Sequence, residues 1–429
     1  MLTLDSVLEF DPSRDEDFFT ALPAYPAVCL IEPKETSAQP LFIRTQDLRR
    51  RLQRLFGPLD SSSKRLNLRD LAKSIRYRIT ASAFEQTFAY YQNARELFPD
   101  RYQEMLRIRP PAVLKVNLRN AYPRCYATRK ISIASNGAPS GGVYYGPFPS
   151  RKAADAFAER ALDLFKVRRC QIKIRRDPTF PGCIYSEMKM CLAPCFAGCT
   201  KEEYDVEVQR LVAFLETGGA SLRESLQAER NQSSEEMDFE KAALLHKKLD
   251  KLDDALRGQP ELPRRLQDLN AIILQRGRAD QSISVYELRA GKIAEPFELS
   301  FVTLAGDPRS AEQILRERLE ARQSLAAPSV TDQSMTPGAV IPSAARNLSL
   351  IGSTSQAELS EHLWLLARWF YSNPRQGEIF FRGNAWPYRK MMRACARLLA
   401  PPEDQPQTQS GKPHQNNSPQ SGGKRENNS

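Results

Sequence analysis

No stretch of about 18 consecutive apolar residues occurs in the 429-residue chain, which excludes a membrane-spanning helix by sequence. Nor does the N-terminus carry the basic start and apolar middle of a secretory leader; Met1 to Asp15 is acidic and polar. Both absences predict a protein that stays in the cytoplasm and has no membrane partner. With no export signal, the eight cysteines do not read as a disulfide framework. What the chain does have is 41% hydrophobic and 26% charged residues, enough for a packed core, over a length that predicts about two to four domains.

The net charge of +11 is unevenly placed: Arg101 to Gly182 holds 17 Lys/Arg against 5 Asp/Glu, a local excess of +12. A block of that kind is an electrostatic footprint for a polyanion, with nucleic acid the usual one, although a solvated basic surface has the same composition. The cysteines are uneven too. Cys29, Cys125 and Cys395 stand alone, whereas Cys170, Cys183, Cys191, Cys195 and Cys199 fall within thirty residues. Thiols gathered outside an oxidising compartment point to a metal or iron–sulfur site. Lys166, Arg168, Arg169, Lys173, Arg175 and Arg176 surround that segment and are candidate nucleic-acid contacts.

Periodicity divides the rest. Ala27–Ile31 and Pro40–Ile43 read as strands, Asp47 precedes a helical stripe of Leu48, Leu52, Leu55 and Phe56, and Arg76–Thr80 and Ala83–Leu97 read as strand and helix. Val113–Val116 and Cys125–Thr128 suggest strands. Val143 to Ser150 reads as a turn leading into a helix capped by Ser150, with Ala154, Phe157, Ala158, Ala161, Leu164 and Phe165 on its apolar face. Beyond Glu202 the pattern is helical, broken at Gly218-Gly219, with a second helix expected from Leu222 to Leu256 carrying Leu245, Leu249, Leu252 and Leu256 on one stripe. Strands return after Pro263 at Ala271–Leu274, Ile283–Leu288 and Lys292–Phe301, with Ala290-Gly291 as a hairpin turn. A Pro/Ser/Ala-rich insertion at Ala326–Ser349, a helix at Ala357–Tyr371 and a strand at Glu378–Phe381 follow, and the polar tail from Pro401 is expected to be disordered.

Three signatures lie in one order along the chain: Tyr144-Tyr145-Gly146-Pro147-Phe148-Pro149-Ser150, the cysteine spacing, and Met237 to Leu244 (Met-Asp-Phe-Glu-Lys-Ala-Ala-Leu). The Ser284–Phe301 strand pair and Phe370 to Pro374 support them. In this order the chain resembles the UvrC family, the C subunit of the excinuclease ABC complex, over about residues 18–382. The resemblance implies a multidomain α/β protein. Its parts would be a GIY-YIG-like α/β domain at 16–105, a basic cysteine-rich segment at 106–200, a UVR helical hairpin at 201–258, a partial RNase H-like α/β domain at 264–399, and a disordered tail at 400–429. It also implies a role in nucleotide excision repair, DNA as partner, and docking on UvrB through the hairpin.

The same resemblance locates the nuclease site and finds it altered. That chemistry uses a tyrosine on the attacking water, an arginine on the phosphate and a glutamate on one divalent metal. Here Cys29 and Phe42 stand where tyrosines are expected, Thr45 replaces a lysine, and Tyr90 or Tyr91 stands where the metal glutamate belongs; Glu85 lies one to two turns too early. Arg51 matches the helix arginine, and reads either as a remnant phosphate contact or as an exposed arginine beside Arg49, Arg50 and Arg54. No Mg²⁺ site is expected. No carboxylate cluster for a second nuclease can be assembled after residue 382, so that incision activity is expected to be absent. Cys170, Cys183, Cys191 and Cys195 match the spacing the family associates with a [4Fe–4S] cluster, with Zn²⁺ the alternative and Cys199 a spare. Phe239, Ala242, Ala243 and His246 share a helical face suited either to UvrB or to an intramolecular helix. Three function classes are thus open: a DNA-contacting repair protein that does not cut, a structure-specific endonuclease whose altered site still works, and a redox regulator built on the cysteines.

Overall fold

A computed structural model describes residues 2–58, 66–134, 139–304, 306–325 and 356–400; the Ala326–Ser349 insertion and the tail expected from Pro401 lie outside them. The chain is mixed α/β, built on three antiparallel sheets. The first comprises β1 (Ser6–Glu9), β2 (Ala27–Pro33), β3 (Leu41–Thr45) and β4 (Ala72–Ile79) in the order β1-β4-β2-β3, with helices α1 (Asp15–Ala21), α2 (Leu48–Phe56) and α3 (Ala83–Leu97). Local chemistry fixes the helix starts. The Asp47 carboxylate accepts the Arg50 N–H, and the Ser82 hydroxyl accepts the Glu85 N–H.

After the short helix α4 (Tyr102–Leu106) come β5 (Ala112–Val116), β6 (Cys125–Thr128), β7 (Val143–Phe148) and α5 (Arg151–Leu162). Val143 to Phe148, expected as a turn, is a strand buried along its whole length. It pairs with β5 on one edge and with the two-residue β8 (Arg264–Arg265) on the other, and its two faces pack into different cores. Between these strands lie the short α6 (Ile184–Glu187) and three long helices, α7 (Lys201–Glu216), α8 (Ala220–Glu235) and α9 (Phe239–Leu256). The pattern from Leu222 to Leu256, read as one helix if continuous, is two helices. Met237 takes a left-handed φ of 60°, and Asp238 restarts the helix by accepting the Lys241 N–H. The chain therefore folds back as a hairpin of α8 and α9.

The third sheet holds β9 (Ala271–Arg276), β10 (Ser282–Arg289), β11 (Lys292–Ile293), β12 (Phe297–Ser300) and, after the short α10 (Phe301–Leu304), α11 (Ala311–Leu325) and α12 (Gln356–Phe370), the strand β13 (Glu378–Phe381); α13 (Tyr388–Leu399) closes the described chain. Ala290 and Gly291, at φ 46° and 83°, make the expected hairpin turn. Lys292–Phe301 is two strands rather than one, with Pro296, which has no N–H for the ladder, in the gap.

Side-chain alternation shows where the core lies. Val28 and Leu30 of β2, Tyr144 of β7, and Ala271 and Ile273 of β9 all face one shared cluster, built around α3 and α12. Their neighbours face away. Cys29 and Ile31 pack on α2, Val143 and Tyr145 on α5, and Ile272 and Leu274 on α11 and α13. Helix α3 is buried nearly all round, from Phe84 through Ala94, as a helix at the centre of a large core must be.

Candidate functional site

The residues expected at the nuclease site are consumed by that core. Cys29 is fully buried against α2, and burial pushes its thiol up to about 12, so it stays neutral. Phe42 lies on the other face of the same sheet and stacks on Tyr90, with ring centroids 4.5 Å apart and planes 7° from parallel. The Tyr90 hydroxyl donates to the Phe42 carbonyl at 3.2 Å, and burial raises its pKa. Tyr91 points to the far lobe, where its hydroxyl donates to Glu361 of α12 at 2.8 Å. Glu85 is buried and closes the start of α3: it accepts the Ala81 N–H at 2.8 Å and pairs with Arg78 at 3.4 Å. A carboxylate so engaged has little coordination left for a hard cation.

The arginine row on α2 is divided. Arg49 donates to the Leu22 carbonyl at 2.7 Å and so ties α2 to the end of α1. Arg50, Arg51 and Arg54 are exposed. Arg51 thus sits on a helix packed against the Cys29 face, while Phe42 and Tyr90 are on the opposite face.

Around the cysteines, Lys166, Lys173, Arg175 and Arg176 are exposed. Arg176 also donates to the Cys199 carbonyl at 3.1 Å. Arg168, a candidate nucleic-acid contact by sequence, is buried: its guanidinium donates to the carbonyls of Tyr122 at 2.9 Å and Ile172 at 2.8 Å, and lies 3.8 Å from the Cys170 sulfur. It holds the cysteine loop rather than facing solvent. Arg169 is half-buried and paired with Asp163 at 2.6 Å.

The loop from Cys170 to Cys199 is held by backbone contacts more than by a core. Leu192 N–H donates to the Lys166 carbonyl, Asp177 N–H to the Cys195 carbonyl, and Ala193 and Ala197 take left-handed conformations around the single turn at Pro194–Phe196. Four thiols of this loop lie near enough to influence one another electrostatically. Burial raises Cys191 to about 11, and Cys170, Cys195 and Cys183 each add to the cost of ionising it. Cys195 likewise senses Cys183 and Cys170. Burial raises Cys199, with Glu203, Arg176 and Cys195 acting on it as well. Soft sulfur donors suit an iron–sulfur group or zinc. Among the described residues, however, no three His, Cys, Asp or Glu side chains are close enough to hold one metal ion. A single zinc needs its sulfurs about 2.3 Å from one point, whereas a multi-iron cluster spreads them over a larger cage.

The hairpin of α8 and α9 buries Leu222 and Leu226 against Leu245, Leu249 and Leu252. Its other face is free: Phe239 is 67% exposed, Ala243 and His246 are exposed and Ala242 is half-buried, with Met237 and Leu244 exposed beside them. Periodicity carries no sign of the polar contact between α3 and α12, because Glu361 lies in a helix whose pattern is simply amphipathic.

The family described as UvrC/Cho excinuclease, middle domain, matches residues 112–214, from β5 through α7 and across all five clustered cysteines. UvrABC system protein C of Chlamydia abortus is 27% identical over 286 residues, covering 65% of this chain and 46% of that relative. The protein of the same name from Ruminiclostridium cellulolyticum is 30% identical over 182 residues, 42% of this chain and 28% of its own. That from Pediococcus pentosaceus is 32% identical over 143 residues, 32% and 23% respectively. The matched part is thus less than half the length of each of these relatives. No solved structure matches the chain. Among the described residues no helix is long and apolar enough to cross a membrane.

Proposed function

Because this chain belongs to the UvrC family, we propose that it serves nucleotide excision repair as a DNA-contacting subunit that does not itself cut. The observation that carries this reading is the fate of α3. In the GIY-YIG-like reading of the first sheet, this helix presents a metal-binding carboxylate; here its central positions are Tyr90 and Tyr91, one stacked under Phe42 and the other bonded to Glu361. DNA is then met by the exposed cations near the cysteine loop, Lys166, Lys173, Arg175 and Arg176, with Arg50, Arg51 and Arg54 as a second patch. The free face of α9 around Phe239 is the surface offered to UvrB, where an exposed aromatic beside small alanines lets a second helix approach closely.

Binding to duplex DNA tests this reading. Phosphate contacts release counterions, so log K falls linearly with log salt, by about 0.9 per phosphate neutralised. Replacing Lys173, Arg175 and Arg176 together by alanine is expected to flatten that slope by about two to three and to weaken binding alike on all sequences. An unchanged slope moves the DNA surface elsewhere. Arg168→Ala should act differently, loosening the cysteine loop.

The cysteine loop is proposed to hold a [4Fe–4S] cluster on Cys170, Cys183, Cys191 and Cys195. Anaerobically purified protein is then brown and contains iron. Cys191→Ser loses both colour and iron, while Cys199→Ser keeps them, because Cys199 lies outside the four-cysteine spacing. Stoichiometric zinc without iron would refute the cluster.

A further inference from the structure

A cleft of about 750 Å³ opens between the first sheet and α12; it includes Thr45, where the resemblance expects a lysine, but none of the other altered nuclease positions. One wall carries Arg44, Gln46 and Thr87; the facing wall carries Arg368, Ser372 and Gln376. No carboxylate lines it, although acidic residues are common elsewhere in the chain. Both arginines are exposed. Arg44 has one long contact to the Thr87 hydroxyl at 3.5 Å and stands 5.8 Å from the centre of the Tyr90 ring; Arg368 lies 5.7 Å from that of Trp364. Neither is ion-paired among the described residues. Arg375, next along, lies over Phe370 and adds a third positive charge near the mouth.

Two unpaired guanidiniums on opposite walls, with only uncharged hydrogen-bonding groups between them, make a site for one anionic ligand. We propose that this cleft receives a nucleotide unit of a single nucleic-acid strand, with its phosphate between Arg44 and Arg368. Its volume falls in the range of pockets that take drug-sized ligands, so a flexible strand enters and a duplex does not. The Trp369 ring is buried, with its N–H given to the Gln376 carbonyl at 2.7 Å, so no open stacking platform is present and charge dominates recognition. This inference rests on the nucleic-acid reading above, but not on the basic surface of the cysteine loop.

The test is binding of a short labelled oligothymidine to the full chain at low salt, read by fluorescence anisotropy. Arg44→Ala with Arg368→Ala is expected to weaken it by about tenfold or more, through loss of phosphate contacts. The triple alanine variant at Lys173, Arg175 and Arg176 is the comparison: it should weaken long duplex, and a larger loss of oligothymidine binding in it than in the Arg44/Arg368 double variant would place the strand on the cysteine-loop surface and overturn the cleft. Oligothymidine binding that survives the double substitution overturns the cleft; duplex binding indifferent to the triple variant overturns the surface reading instead. Thymidine monophosphate competing as well as the oligomer at equal concentration would make the ligand a free nucleotide and refute the strand; weak competition supports it. Should the double variant misfold by circular dichroism, the exposed Arg368→Glu alone decides, with the same loss expected and unchanged binding counting against the site.

Discussion

Nicked or damaged duplex incubated with the purified chain and Mg²⁺ or Mn²⁺ is expected to stay intact. Loss of one acid–base or charge-stabilising group slows an enzyme by about 10²–10⁴, and groups that act as a unit do not substitute for one another. In the proposed GIY-YIG-like reading, three positions differ together from what that chemistry needs. Cys29 is a neutral thiol inside the core, Phe42 has no ionisable proton, and an aromatic stands where the metal carboxylate belongs. Arg51 can hold a phosphate but cannot activate water. Reinstating one group should not restore cutting. Tyr91→Glu would set a second carboxylate in the core beside Glu361, a like-charge pair that destabilises the protein before it binds any metal. Metal-dependent incision by highly purified protein, abolished by Arg51→Ala, would overturn this and restore the endonuclease reading.

What the sequence revealed and what it hid follow from the range of each interaction. Signals settled within one turn were legible. Asp47 and Ser150 each cap the helix that follows, and Ala290-Gly291 makes its hairpin. The apolar stripes of α2 and α9 face their cores as spacing predicts. Signals that depend on distant chain were not. Val143 to Phe148 has the glycine and proline of a turn, yet it is held straight by β5 and by β8, more than a hundred residues later. Strand β1 and helices α11 and α13 went unpredicted; β1 is an edge strand of four residues, too short to show a period. Among the candidate site residues, charge alone could not tell Arg168 from Arg175. One guanidinium is enclosed by carbonyls and the other is in water, a difference made by where Tyr122 and Ile172 fold.

Glu361→Ala is expected to destabilise the protein by about 3–5 kcal/mol, the cost typical of removing one partner from a buried charged network. Glu361 is 2% exposed and is the point where α12 grips the first half of the chain. It accepts from the Tyr91 hydroxyl at 2.8 Å, the Tyr102 hydroxyl at 2.6 Å and the Gln103 amide at 2.8 Å. Its charge is not isolated, because Arg95 donates to the Tyr91 hydroxyl at 3.2 Å and pairs with Glu358 at 3.4 Å. Next to it, His362 accepts the Ile293 N–H through Nδ1, and burial lowers its pKa to about 4, so it stays neutral. Alanine at 361 leaves two buried phenols without their acceptor and opens a cavity, while the amide of the exposed Gln103 keeps the Tyr102 hydroxyl as acceptor. Tyr102→Phe removes one donor and leaves the carboxylate two, so it should cost only about 1–1.5 kcal/mol. Glu361→Gln should fall between them, keeping an acceptor but turning an amide donor toward groups that donate. Because the core around α3 and α12 is shared by all three sheets, the loss should appear as a lower midpoint for the whole chain in urea. A Glu361→Ala midpoint indistinguishable from that of Tyr102→Phe would mean that apolar packing alone holds the two halves together.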